Sequence, residues 1–321
     1  MIVIGIAIGI ALYLWQSRSR NQDLSPVHTV VERPLDRYSI DSLSRKTMTP
    51  SPVVFDEAVA TTSAYTVSVF HFFSDGKKVT GLSHVPTGPE PAEGFPVIVQ
   101  FRGYVDREAY VPGTGTKRSA EVFASSGFIS LAPDFLGYGG SDTPSDDIFE
   151  ERFQTYTTAL TLLSSIQNVP GANANALGIW GHSNGGQIAL TVLEVLGKPI
   201  PTVLWAPVSK PFPYSILYYT DEASDRGKFL RKKLAEFEEI YDVDLFSVPN
   251  YLDRITAPLE IHQGSSDDAV PVAWSDELVR VLKENGKDVT YFTYEEADHN
   301  LAGSTGAWNT AVIRSISFFR E

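Results

Sequence analysis

Not one of the 321 residues is cysteine. That excludes disulfide bonds, thiolate metal sites and a cysteine nucleophile. It leaves the compartment open, because cytosolic and exported proteins can both lack cysteine. Positive charge is also in short supply: 26 Lys and Arg stand against 39 Asp and Glu, for a formal net charge of −13. A chain this acidic is repelled by nucleic acid and by anionic membrane surfaces, so neither is expected as a partner. There is no internal repeat and no metal or nucleotide motif, so no cofactor and no metal are implied. What is present is an ordinary globular mixture, 43% hydrophobic and 20% charged, enough for one sizeable core.

The N-terminus departs from that mixture. "MIVIGIAIGIALYLW" is apolar from Met1 to Trp15, and "QSRSRNQD" comes next. Fifteen residues at about 1.5 Å each reach roughly 22 Å, short of a hydrocarbon core of about 30 Å. The run has no basic flank ahead of it and no small-x-small cleavage site, which argues against a cleaved signal peptide. Residues 1–16 are expected to be a membrane anchor, with a buried core helix as the alternative. Arg18 and Arg20 favour a cytoplasmic side for the chain beyond them, and a basic stretch ahead of residue 1 would reverse that. With such a stretch, the expectation is a single anchor with an extracytoplasmic catalytic region. Residues 17–60, rich in Ser, Thr, Pro and charge, are expected to be a tether with room for a short helix.

From residue 61 the pattern is that of a folded domain. Two β-rich runs flank Asp75-Gly76 and read as a hairpin. "FPVIVQF" (95–101) is a continuous apolar run, as expected of a strand buried on both faces. Strands then alternate with helices. Strands are expected at 127–133, 176–180, 202–207, 257–263 and 289–294. The spacing of Phe153, Tyr156, Leu160, Leu163 and Ile166 predicts a helix over 148–167. A second helix should end at Gly197, with Pro199 beyond it. Two more are marked by Trp274, Leu278, Val281 and Leu282, and by Trp308, Val312, Ile316 and Phe319. This alternation implies an α/β fold, a mostly parallel sheet covered by helices on both faces. Residues 208–252 interrupt it, aromatic at first ("PFPYSILYY") and then charged and helical. An insertion of that length is expected to be a cap over a substrate site.

The chemistry centres on "GIWGHSNGGQIAL" (178–190). A strand, a G-x-S-x-G and a helix in direct succession form a nucleophile elbow, which makes Ser183 the candidate nucleophile. An idle serine in a glycine-rich loop is the bland alternative. A nucleophilic serine needs a base, and the base needs an orienting carboxylate. Of six histidines, His299 lies just after the last strand and before the last helix, where the base belongs in a Ser, Asp, His order. His182 adjoins Ser183 and is expected to point elsewhere. The loop "IHQGSSDDAVP" offers Asp267 and Asp268 as the carboxylate, and either could instead cap a turn.

"GHSNGG", "APLEIHQGSSDDAVP", "EEADHN" and "PDFLGYGGSD" together resemble the α/β-hydrolase superfamily, in particular its prolyl oligopeptidase and dienelactone hydrolase-like branch, over roughly residues 65–321. In that branch the aspartate follows a glycine in a G-x-x-D-x-x-V-P pattern, matched by Gly264, Asp267, Val270 and Pro271. The resemblance therefore selects Asp267. It implies an oxyanion hole from the backbone N–H of Asn184 and a second one, here Tyr104, in the loop "RGYVD". Arg102 stands where many relatives carry histidine, with an ion pair to Asp106 or Asp134 as its structural reading.

These readings imply a serine hydrolase working through an acyl-enzyme on short peptides. Carboxylic esters are the second substrate class, and an inactive binding module the third reading. The aromatic start of the cap directly follows a strand whose C-terminal end should face the site. Phe212, Tyr214 and Tyr218 are therefore expected to line an apolar pocket, the alternative being that they only pack the cap onto the sheet.

Overall fold

A computed structural model describes residues 32–303 and 305–321. The expected anchor and the first part of the tether lie outside the described residues. Among the described residues no helix is long and apolar enough to cross a membrane. The compact body is Leu35–Glu321.

Its elements succeed one another in chain order. Helix α1 (Ile40–Arg45) precedes strands β1 (Val54–Thr61), β2 (Tyr65–Ser74), β3 (Lys77–Pro86) and β4 (Phe95–Phe101). Then come α2 (Lys117–Ser125), β5 (Ile129–Pro133), α3 (Ile148–Ser164), β6 (Ala172–His182), α4 (Asn184–Leu196) and β7 (Thr202–Trp205). The cap carries α5 (Tyr214–Leu217) and α6 (Lys228–Glu238). Strand β8 (Leu259–Gly264), α7 (Val272–Glu284), β9 (Val289–Tyr294) and α8 (Ala307–Phe318) complete the fold.

The strands form one sheet in the order β1-β2-β3-β5-β4-β6-β7-β8-β9. From β5 to β9 every neighbour is parallel, while β1, β2 and β3 add an antiparallel edge. The expected hairpin is there: Ser74 pairs with Lys77, and Asp75 and Gly76 both take positive φ, as a two-residue primed turn requires. Six of the seven residues of β4 are buried, consistent with a strand covered on both faces. Helix α4 is buried from Gly185 to Val195 and ends at Gly197 in the left-handed conformation. A helix apolar nearly all round belongs at the centre of a domain, and this one runs beneath the sheet from the candidate nucleophile.

The tether does not extend to residue 60. Leu35, Tyr38, Ile40 and Leu43 are buried in the main core, Ser39 caps α1 by accepting from Ser42 N, and Asp41 pairs with Arg254. Residues 54–61 pair with β2 as the edge strand. The cap is packed, not free. Phe237, Tyr241 and Phe246 stack among themselves and onto Phe149 and Phe153 of α3.

Candidate active site

Strand β6 runs directly into Ser183, and α4 begins at the next residue. Ser183 sits at φ 57° and ψ −121°, a conformation that costs a non-glycine residue on the order of 1–3 kcal/mol. The neighbouring structure holds it there. Ser183 N donates to Trp205 O (2.9 Å), while Gly186 N (2.9 Å) and Val208 N (3.0 Å) donate to Ser183 O. The glycines around it are spatial necessities. A Cβ at Gly181 would lie 2.6 Å from Gly185 O, one at Gly186 2.6 Å from Pro207 Cβ, and one at Gly185 1.9 Å from Phe101 O. Gly185→Ala is therefore expected to cost about 3 kcal/mol through overpacking against β4, or to prevent folding. Denaturant unfolding checks this, and a stable Gly185→Ala protein would contradict the close approach.

The loops after β8 and β9 bring the carboxylate and the imidazole together. His299 Nδ1 lies 2.9 Å from Asp267 Oδ2. Asp267 Oδ1 accepts from the N–H groups of Ala269 (2.9 Å) and Val270 (2.8 Å), and Oδ2 also accepts from Gln263 Nε2 (2.9 Å). Burial alone would raise this carboxyl. The hydrogen bonds from His299, Val270 and Gln263, with the imidazole's charge, outweigh burial and hold it below the usual carboxylate range. Asp268 is exposed. Gly264 lets the two loops touch, since a Cβ there would be 2.3 Å from Ala297 O.

His182, expected to point elsewhere than Ser183, lines the same cavity as Ser183 and His299. Its Nε2 donates to His299 O at 2.9 Å. Burial, with the neighbouring His299, lowers its imidazole to about 4, so at neutral pH it is an uncharged donor that fixes the His299 backbone.

Ser183 and His299 line one cavity of about 740 Å³, together with Gly103, Tyr104 and Asn184. The loop after β4 lies against the serine: a Cβ at Gly103 would be 3.0 Å from Ser183 Cβ. Asn184 is the first residue of α4, so its N–H has no intrahelical acceptor. Tyr104 is 75% exposed, and its hydroxyl donates to Asp106 Oδ1 at 2.7 Å. Among the described residues, no group of acidic or imidazole side chains is placed to hold a metal ion.

Two expectations are corrected here. Arg102 pairs with neither Asp106 nor the Asp134 carboxylate within 4 Å among the described residues. It donates to the backbone oxygens of Gly103 (2.9 Å) and Asp134 (3.1 Å) and lies over the rings of Tyr138 and Tyr110. It thus braces the loop that abuts the serine. The second correction concerns the cap. Phe212 is 3% exposed and packs on Phe149, Phe153 and Phe237, so it is core. Tyr214 and Tyr218 stack beside Trp274 and are not among the lining residues of the cavity. The same segment instead presents Ser215 and Ile216 of α5, and Tyr219 just beyond it, to the cavity. The aromatic run was the right segment, but the face of the turn is set by how α5 packs. Phe212→Ala is expected to cost about 3–5 kcal/mol and to leave the ranking of substrates intact. Tyr219→Ala should change the ranking. Melting temperature with a small substrate panel separates the two.

Solved structures share this architecture. An acetyl xylan esterase from Paenibacillus sp. R4 superposes with a TM-score of 0.65 at 18% identity, over 89% of this chain and 94% of the other. An acylaminoacyl peptidase of Pyrococcus horikoshii gives 0.60 at 20% identity, over 80% of this chain and 42% of the peptidase. A parallel sheet with a serine on a strained strand-to-helix turn is the α/β-hydrolase fold. The match can be made narrower. The chain belongs to the prolyl oligopeptidase family, whose model matches residues 115–321, and it is a serine hydrolase. The uncharacterized peptidase YtmA of Bacillus subtilis is 28% identical over 251 residues, 77% of this chain and 90% of that protein.

Proposed function

We propose that Ser183, His299 and Asp267 form a catalytic triad that cleaves short peptides through an acyl-enzyme. The observation that carries this reading is the serine held at positive φ in the same cavity as an imidazole whose Nδ1 is engaged by a buried carboxylate. With Nδ1–H committed to Asp267, Nε2 is the free base. It takes the Ser183 proton as Oγ attacks the substrate carbonyl. The N–H groups of Asn184 and Tyr104 receive the oxyanion, each contributing on the order of 10²–10³ in rate. The imidazolium then protonates the leaving group, and water repeats the sequence to release the acid.

Carboxylic esters are a second substrate class for the same machinery. The chemistry is the same, and Ser215, Ile216 and Tyr219 of the cap bound the cavity. The family match and the peptidase relative favour peptides. Fluorophosphonate labelling tests the core of the proposal, because only an activated serine reacts. Modification at Ser183 is expected, and its absence would favour a binding module. Initial rates on matched peptide amides and aryl esters then decide the substrate class. The apolar run Met1–Trp15 supports an N-terminal anchor as part of the proposal, to be tested by carbonate extraction of the full chain from membranes.

A further inference from the structure

Among the described residues, the cavity that holds Ser183 and His299 has one permanently charged side chain in its wall, Arg152, and no carboxylate. In a chain of net charge −13 this is a local inversion of sign. Arg152 comes from α3, and it lines both this cavity and the adjoining hollow of about 520 Å³ that shares Tyr104 and Asn184 with it. Its Nη2 donates to Gln187 Oε1 at 2.5 Å. Its Nε is buried with no partner. Among the described residues it forms no ion pair, unlike its helix neighbours Glu150 and Glu151, which pair with Arg37 and Arg107.

Gln187 explains how the guanidinium is aimed. It is 1% exposed on the first turns of α4, accepts from Arg152, and donates through Nε2 to Ser215 Oγ at 3.3 Å. Ser215 is itself a wall residue of the cavity. The chain Arg152–Gln187–Ser215 therefore ties α3, α4 and the cap together behind the nucleophile. A half-buried guanidinium with a buried, unsatisfied N–H and no counter-charge is costly to maintain. It offers the planar donor fork that suits a carboxylate.

We propose, resting on the hydrolase reading above, that Arg152 is a substrate-specificity residue that binds a carboxylate on the peptide or ester being cleaved. The preferred substrate carries a negative charge near the scissile bond. Among the described residues the same wall offers no acidic side chain to a free amino terminus, so an ammonium group on the substrate gains no ion pair there. The carboxylate has two sources: the free C-terminus of a short peptide, on the leaving side, or an acidic group on the acyl side. Arg152 acts by binding and takes no part in proton transfer.

Calorimetry on the full chain with Ser183→Ala tests this without turnover. One pair of probes is N-acetyl-alanyl-alanine and its C-terminal amide. The other is monomethyl glutarate and dimethyl glutarate. The carboxylate form of one pair is expected to bind about tenfold or more tightly than its neutral partner, and the pair that shows the difference identifies the side. Arg152→Gln in the same background should remove most of the difference, and Arg152→Lys should keep part of it, as a point charge without the fork. If Arg152→Gln fails to fold, the preference of the parent protein and its reduction in Arg152→Lys decide. Equal binding within both pairs, no binding of any probe, or a preference that survives Arg152→Gln overturns the proposal. Failure of the hydrolase reading would show separately, as unmodified Ser183 in the parent enzyme exposed to fluorophosphonate.

Discussion

Ser183→Ala is expected to lower kcat by roughly 10⁴- to 10⁶-fold, the range found when the nucleophile of a triad is removed. The fold should be untouched, because the main-chain bonds to Trp205, Gly186 and Val208 that hold the turn do not involve the hydroxyl. His299→Ala should cost about as much, and the double variant little more than either, since the residues act as a unit. A further consequence separates catalysis from folding. Ser183 is held at φ 57°, so Ser183→Gly should be inactive yet more stable than Ser183→Ala by about 1 kcal/mol, as glycine pays no steric cost there. Near-wild-type hydrolysis by Ser183→Ala would remove the mechanism. A Ser183→Gly protein that melts lower than Ser183→Ala would remove the strain argument.

Asp267→Asn should lower kcat by about 10⁴-fold. Oδ1 must stay an oxygen to accept from Ala269 and Val270, so the amide nitrogen takes the place of Oδ2 and faces His299 Nδ1 and Gln263 Nε2, both of which now donate there. The imidazole is then driven into the tautomer that leaves no base facing Ser183. Asp268→Asn should change little, because that side chain is exposed and His299 engages its neighbour. The substitution also has a pH signature. The folded-state pKa of Asp267 is depressed, so its stabilising contribution is present above the ordinary carboxylate value of about 4 and is lost as pH falls below that. Asp267→Asn should therefore show a shallower loss of stability than the parent protein in that acid window. Equal acid profiles would mean that the carboxylate bonds add nothing to the fold. A catalytic loss in Asp268→Asn in place of Asp267→Asn would mean that the other carboxylate orients the base.

Much of the fold was legible because its signals are local. The apolar run of β4, the Asp75-Gly76 turn and the left-handed Gly197 after α4 each depend on a few adjacent residues. The segment before β1 was misread because its signal is sparse. Leu35, Tyr38, Ile40 and Leu43 are four buried residues within a polar stretch, and a 3-10 turn at Pro34–Tyr38 followed by the six-residue α1 gives no sustained period. Ser39 ahead of Ile40 was the available hint, an N-cap before an apolar pair.

The site divides in the same way. The order of strand, G-x-S-x-G and helix is enough to put a serine on a strained turn, because glycines at 181, 185 and 186 are the only residues that fit so close to Phe101 and Pro207. By itself, then, the sequence determined the α/β architecture, the elbow at Ser183 and the loops that carry Asp267 and His299. Only the tertiary structure decided that Asp267 faces the imidazole, that His182 holds the His299 backbone, and that Ile216 and Tyr219, not Phe212, Tyr214 and Tyr218, meet the cavity. It alone brings Arg152 to the site from a helix two elements earlier. Such choices rest on which face of a short turn or helix packs against distant residues. The periodicity of a four-residue helix fixes no face, and an arginine among glutamates on an amphipathic helix reads as surface until its neighbours in space are known.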